Sequence, residues 1–275
     1  MSTTPSSELA ELVAPLRERA GTSAILCDVD GTLAPIVDDP AAASVPESTR
    51  DALRGVARHY GLVACVTGRP ALEARLIVGV EEIAYAGNHG LELLEPGSSA
   101  ARLDPAVGDR LSAAADFVGG LGALELAELG LRIEDKGPIQ AIHWRGAPDE
   151  DAAARRAREL ADEAERIELV PRWGRKVLEL RPTPGVDKGT VATRLVEDAG
   201  CSAALFGGDD LTDLDAFAAL RSLRARGRLE RTVCLGVASE EAPDRLWDES
   251  DAIVAGTEGF AWVLRLLVGG EPRES

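Results

Sequence analysis

Residues 27–35 read C-D-V-D-G-T-L-A-P and set two carboxylates, Asp28 and Asp30, one residue apart directly after an apolar run. Acids this close repel one another unless something positive lies among them, and three later segments bring the rest of a site. Thr67-Gly68-Arg69 follows the apolar run 62–66, Asp187-Lys188-Gly189 opens a helical pattern, and Gly207-Gly208-Asp209-Asp210-Leu211-Thr212-Asp213 follows the run 203–207. Converging carboxylates suit a hard divalent cation with oxygen ligands, typically Mg2+. A metal held in this way recruits phosphate and offsets the charge of phosphoryl transfer. The helix opening on Pro70 offers free N–H groups to phosphate oxygens, and Lys188 offers a point charge to the phosphate or to the nucleophile. Each piece alone has an ordinary reading: D-x-D as a turn or cap, G-G-D-D as a strand-to-helix loop, Lys188 as a helix-start lysine. The ordered set is far more specific than any member.

Elements must hold these segments together. Short apolar runs predict strands near 24–29, 62–66, 83–87, 203–207, 232–237 and 251–254, and apolar periodicity predicts helices near 8–20, 47–60, 70–79, 188–199, 211–221 and 258–268. Continuous apolar strands alternating with amphipathic helices indicate a parallel sheet covered on both faces. Ligands then bind beyond the carboxyl ends of the strands, where all four segments lie.

Residues 96–182 depart from this pattern. Pro96-Gly97-Ser98-Ser99 breaks it, a helical stretch runs to about Val118, and L-R-I-E-D and I-Q-A-I-H-W-R alternate like half-exposed strands. A charged helical segment over 149–166 precedes two further strand candidates, I-E-L-V-P and K-V-L-E-L. This order suits a small antiparallel sheet backed by helices. The expected organisation is a catalytic core of 1–95 and 183–275 interrupted by an α+β insert of 96–182. Residues 1–7 and 269–275 are expected to be frayed tails.

At 275 residues the chain can bury a sizeable core. Its formal charge of −17 argues against non-specific nucleic-acid binding or attachment to anionic lipid, both of which need a basic surface. Cys27, Cys65, Cys201 and Cys234 are widely spaced, each in or beside an apolar run, and are expected to be buried and reduced rather than to bind zinc. Nothing near Met1 resembles a signal peptide and no apolar run approaches the ~20 residues of a membrane span. A cytoplasmic location is expected, whereas oligomeric state is not legible.

D-V-D-G-T, V-T-G-R, D-K-G and G-D-D-L-T-D resemble the four motifs of the haloacid dehalogenase superfamily of phosphatases. More narrowly, Ala86-Gly87-Asn88-His89-Gly90-Leu91-Glu92, Glu134-Asp135-Lys136 followed by His143-Trp144-Arg145, and the run from Gly174 to Pro182 resemble the trehalose-6-phosphate phosphatase family. The resemblance implies a Rossmann-like parallel-sheet core with an inserted α+β cap of the C2B type. It implies Asp28 as nucleophile, forming an aspartyl-phosphate, and Asp30 as general acid for the sugar leaving group and then base for water. Mg2+ would be held by the Asp28 carboxylate, the Asp30 main-chain carbonyl and Asp209, with Asp213 in support and Asp210 an open question. Thr67 and Lys188 would hold phosphoryl oxygens. Arg69, His89, Lys136, His143, Arg145 and Glu179 are the candidates for contacts to a small-molecule sugar phosphate. Trp144 reads as cap core, and His59 receives no role. Leu214 stands where the family is often acidic, beyond the ligand positions. Rival readings are a phosphatase of a sucrose- or glucosylglycerate-type ester, a phosphomutase, or a non-catalytic sugar-phosphate sensor.

Overall fold

The structure, a computed structural model, describes residues 3–37, 42–174, 176–183, 185–239 and 242–269. Arg175, in a segment that carries the resemblance, Pro184, and residues 1–2 and 270–275 of the expected tails lie outside these. The chain divides into two compact units, Met1–Arg102 with Asp187–Ser275, and Leu103–Val186.

The first unit begins with α1 (Ser6–Glu18), β1 (Ser23–Cys27), α2 (Glu47–His59), β2 (Leu62–Val66), α3 (Ala71–Val78), β3 (Ala84–Gly87), β4 (Glu92–Leu94) and the two-residue β5 (Arg102–Leu103). The second unit contains α4 (Ala113–Gly119), α5 (Ala123–Leu129), β6 (Arg132–Asp135), β7 (Gln140–His143), α6 (Glu150–Glu165), β8 (Val170–Gly174) and β9 (Val177–Arg181). The chain then returns to the first unit with α7 (Lys188–Asp198), β10 (Ala203–Gly208), α8 (Asp213–Ala225), β11 (Arg231–Ala238), α9 (Asp244–Asp248), β12 (Ala252–Ala255) and α10 (Gly256–Leu267).

The large sheet has the order β12-β11-β10-β1-β2-β3-β4-β5 and is parallel from β12 to β3. The strands are buried on both faces because their side chains alternate between two cores. Ile25 and Cys27 join the cluster built with α1, α2, α3 and α10, whereas Ala24 and Leu26 join the one built with α7, α8 and α9. Helix spacing meets this demand: Ala216, Phe217, Leu220 and Leu223 form one apolar stripe on α8. From β1 the chain order runs to β2 and β3 on one side and to β10, β11 and β12 on the other. The strand order therefore reverses at β1, and the crevice at its carboxyl end is where an open α/β sheet binds its ligand.

Some details depart from expectation. Within the expected N-terminal tail Thr4 is tied down, since its N–H bonds Ile253 O at 2.8 Å and its hydroxyl accepts from Ile253 N–H at 2.9 Å. A fourth strand, β4, runs antiparallel to β3. The helical stretch expected up to Val118 is a 3-10 turn followed by the short α4, and α5 adds a helix that short-range apolar spacing did not suggest.

In the second unit the sheet order is β6-β7-β9-β8, antiparallel throughout. Ile142, Leu178 and Leu180 pack on Ala153, Ala157 and Leu160 of α6. Trp144 belongs to this core and meets Trp173 edge to face, with ring centroids 6.1 Å apart. The opposite face carries Glu134, His143, Glu179 and Arg181, because residues one apart on a strand point to opposite sides. Among the described residues no helix is long and apolar enough to cross a membrane, and the four cysteines are free and buried.

Candidate active site

The register of β1 against β10 builds the centre of the site. Cys27 lies opposite Gly207, and the ladder continues one step further with Asp28 N–H bonding Gly207 O at 2.9 Å. Asp28 therefore leaves β1 opposite Gly208, one residue before Asp209 at the end of the neighbouring strand. Asp213 opens α8, and its Oδ2 accepts the backbone N–H groups of Asp209 and Asp210 at 2.9 and 3.0 Å, so the loop after β10 is pinned from below. Lys188, the first residue of α7, reaches Asp213 Oδ1 at 2.7 Å and Asp28 Oδ2 at 3.0 Å. An Asp187 capping box fixes that helix start.

The approach is too close for any side chain at two glycines. A Cβ on Gly31, which has φ +76°, would lie 2.0 Å from Asp209 Oδ2, and one on Gly208 would lie 2.2 Å from Asp213 Cγ. Oxygens of Asp28, Asp209 and Asp213 lie within 4.8 Å of one another, all three residues buried. Asp209 Oδ1 takes the Thr32 hydroxyl at 3.3 Å. Asp210 is exposed, and its carboxylate accepts the amide of Leu211.

On the other side of β1, Thr67 directly follows β2 and is buried. Its carbonyl accepts His89 N–H at 2.8 Å, and the Arg69 carbonyl accepts Asn88 N–H at 2.8 Å. Asn88 and His89 are buried with left-handed φ of 49° and 56°, a costly conformation for two consecutive non-glycine residues. His89 packs so closely on Gly68 that a Cβ there would meet its Nε2 at 2.7 Å. At the N-terminus of α3 one amide is already taken: Glu92 Oε2 accepts Ala71 N–H at 2.9 Å. Arg69 turns to Asp30, donating Nε to Oδ2 at 2.6 Å and Nη2 to Oδ1 at 2.8 Å, and its third nitrogen bonds Glu73.

In the second unit, the open sheet face gathers the remaining candidates. Glu179 is held by Lys136 at 3.1 Å and by Arg181 at 2.8 Å, and His143 Nε2 meets Glu134 Oε2 at 2.7 Å. The hydrogen bond from His143 lowers the Glu134 carboxyl below its ordinary value, with Lys136 adding to the effect. Arg145 lies in the exposed turn after β7, away from this cluster of hydrogen bonds. Leu214, in the first turn of α8, is a core residue, and His59 is exposed with Nδ1 on Gly55 O. Glu73, Glu92 and Arg181 are not among the sequence candidates. The four-residue spacing of Arg69 and Glu73 is a signal for the first, whereas Glu92 and Arg181, although they stand in segments that carry the resemblance, meet partners that spacing does not indicate.

A family profile described as trehalose-phosphatase matches residues 26–248. The chain belongs to the trehalose-phosphatase family. A probable trehalose-phosphate phosphatase of Oryza sativa subsp. japonica is 33% identical over 236 residues, which cover 74% of this chain and 60% of that one. Among solved structures, the C-terminal domain of C. albicans trehalose-6-phosphate phosphatase superposes with a TM-score of 0.75 at 22% identity, covering 95% of this chain and 97% of that one. A haloacid dehalogenase-like hydrolase from Bacteroides thetaiotaomicron superposes with a TM-score of 0.59 at 17% identity, covering 88% and 98%. These two likenesses concern the fold. The span matched by the trehalose-phosphatase profile holds both the carboxylate cluster and the polar face of the small sheet.

The carboxylate cluster fits a divalent cation. Asp28 Oδ1 is buried without a hydrogen-bond partner among the described residues, and Lys188 is the ammonium that faces the three acids. Burial pushes the Asp28 carboxyl up to about 7 against the opposing pull of Lys188, with Asp213 and Asp30 adding to the rise. Burial and then the Asp28 and Asp213 charges push Asp209 up to about 9, and burial raises Asp213 as well. Lys188 is raised because Asp213 and Asp28 outweigh its desolvation, so it stays charged.

A carboxyl raised on folding favours the folded state in acid, and that advantage is lost as pH rises from its unfolded value toward its folded one. Metal-free protein should therefore lose stability from near pH 4 up to about 7 through Asp28, and on to about 9 through Asp209. A divalent cation replaces the missing positive charge, so its stabilising effect should grow with pH. At about a hundred times its dissociation constant it should add about 2.7 kcal/mol, or about 5–10 °C for a chain of this size. Thermal unfolding with a chelator and with magnesium, from about pH 5 to about pH 8, measures this; a difference that shrinks with pH would count against a cation at the cluster.

Proposed function

We propose that the protein is a Mg2+-dependent phosphatase that hydrolyses trehalose 6-phosphate to trehalose and phosphate through an aspartyl-phosphate on Asp28. The observation that carries this reading is the buried Asp28 at the carboxyl end of β1, with Lys188 on one oxygen, no hydrogen-bond partner on the other, and two further carboxylates within reach. A nucleophilic carboxylate must be ionised and fixed in one rotamer; Lys188 fixes one oxygen and favours the ionised form, and a bound cation would complete the offset of the burial that opposes it.

Asp28, Asp209 and the Asp30 main-chain carbonyl would hold Mg2+, with Asp213 supporting Asp209 through the loop it pins. The cation, when bound, neutralises phosphoryl charge. Attack by an Asp28 oxygen on phosphorus forms the acyl phosphate and breaks the bond to the sugar oxygen, which takes a proton from Asp30. Water then attacks phosphorus, Asp30 takes its proton, and the Asp28 carboxylate and inorganic phosphate are released. Thr67 and Lys188 hold phosphoryl oxygens through this sequence. His89 supports the Thr67 loop.

The insert supplies substrate recognition in this reading. Lys136, Glu179 and His143, with Arg181 and Glu134 beside them, form a polar face whose carboxylates and ammonium can pair with neighbouring sugar hydroxyls. Phosphate release over a panel of sugar phosphates, with and without Mg2+, tests the assignment. Preference for trehalose 6-phosphate and loss of release with a chelator are expected. No preference would overturn the substrate, and no release from any ester would overturn the reaction class.

A further inference from the structure

Asp30 is held by a guanidinium fork. Arg69 Nε and Nη2 donate to both oxygens of its carboxylate, at 2.6 and 2.8 Å, in the parallel geometry that fixes the plane of a carboxylate as well as its position. The fork is itself restrained. The third nitrogen of Arg69 bonds Glu73, four residues on in the first turn of α3, and the Arg69 side chain is only 12% exposed. Its backbone is tied at both ends, N–H to Thr67 Oγ1 at 3.3 Å and carbonyl to Asn88 N–H. Asp30 sits on a turn closed by Gly31 N–H on Ala34 O at 2.8 Å.

We propose that Arg69 and Glu73 are positioning residues for Asp30: Glu73 sets the guanidinium, and the guanidinium sets the carboxylate that exchanges the proton. This rests on the phosphatase reading above and replaces a substrate-binding role for Arg69. An arginine has no acceptor and keeps its own protons, so it does not carry the transferred one; when Asp30 holds that proton, the oxygen bearing it is released by one arm of the fork while the other arm keeps the carboxyl in place. A lysine instead of Arg69 keeps the charge and loses the fork.

The ratio of two kcat/KM values separates positioning from other roles. kcat/KM reports the steps up to the first irreversible one, here cleavage of the ester with departure of its alcohol. A sugar alkoxide needs a proton to leave, whereas 4-nitrophenolate does not. Arg69→Lys and Arg69→Ala should lower kcat/KM for trehalose 6-phosphate about 100-fold and for 4-nitrophenyl phosphate less than about fivefold, with Glu73→Gln and Glu73→Ala about tenfold down on the sugar ester. An equal fall on both esters marks phosphate binding or a structural role and overturns the proposal, as does no fall on either. A second readout needs only the sugar ester: in an Asp30→Asn background, Arg69→Lys should cause no further loss, and an additive loss overturns the proposal. Wild-type protein inactive on every phosphate ester would instead mean that the phosphatase reading has failed.

Discussion

Asp28→Asn is expected to lower phosphate release by at least about four orders of magnitude, the scale of losing a covalent nucleophile, while the protein stays folded. Asn matches Asp in size, and its amide oxygen can still face Lys188. It cannot form an acyl phosphate. Stability should not suffer, because the wild-type carboxylate carries a desolvation cost that raises it to about 7, and Lys188 retains Asp213 at 2.7 Å. In metal-free buffer near pH 8 the variant should unfold at or above the wild-type temperature. Phosphate release measured beside circular dichroism checks both statements, and near-normal turnover by purified, folded protein would sink the mechanism.

Lys188→Met should cost both activity and stability. The side chain is 2% exposed and bridges Asp28 and Asp213, so a Met of similar length fills the space and leaves buried carboxylates without their ammonium. Breaking a buried pair from one side costs about 3–5 kcal/mol, or about 6–20 °C here. The sign with pH is definite. Without Lys188 the acids bind protons more tightly still, so the loss should be small near pH 5 and largest near pH 8. Urea unfolding at both pH values measures it. Adding Asp213→Asn should recover part of the stability, since it removes one of the orphaned charges. Equal stability of wild type and variant at pH 8 would show that the bridge contributes nothing. Activity should fall by about three orders, because the phosphoryl charge and the nucleophile lose the same cation.

The core elements were legible because burial leaves a periodic trace. The runs 62–66 and 203–207 and the helix beginning at Lys188 stand within a residue or two of where spacing put them. Elements that depend on distant partners were not. β4 forms because β3 offers an edge, and Thr4 is ordered by Ile253, nearly the whole chain away. Asn88 and His89 carry no glycine signal for their left-handed backbone; bonds to Thr67 and Arg69 impose it. That Glu92 takes the Ala71 amide at the helix start after Pro70 has no trace in local spacing either.

By itself the sequence placed Asp28, Thr67, Lys188 and Asp209 at one edge of the sheet, because in a parallel sheet residues at strand ends and helix starts gather on one side whatever lies between them. Only the tertiary structure decided what each oxygen does. Which carboxylate oxygen meets Lys188, which lacks a partner, and that Arg69 grips Asp30 across 39 positions follow from the pairing of β1 with β10 and β2. Registers and rotamers are settled by packing, and packing has no expression in linear spacing.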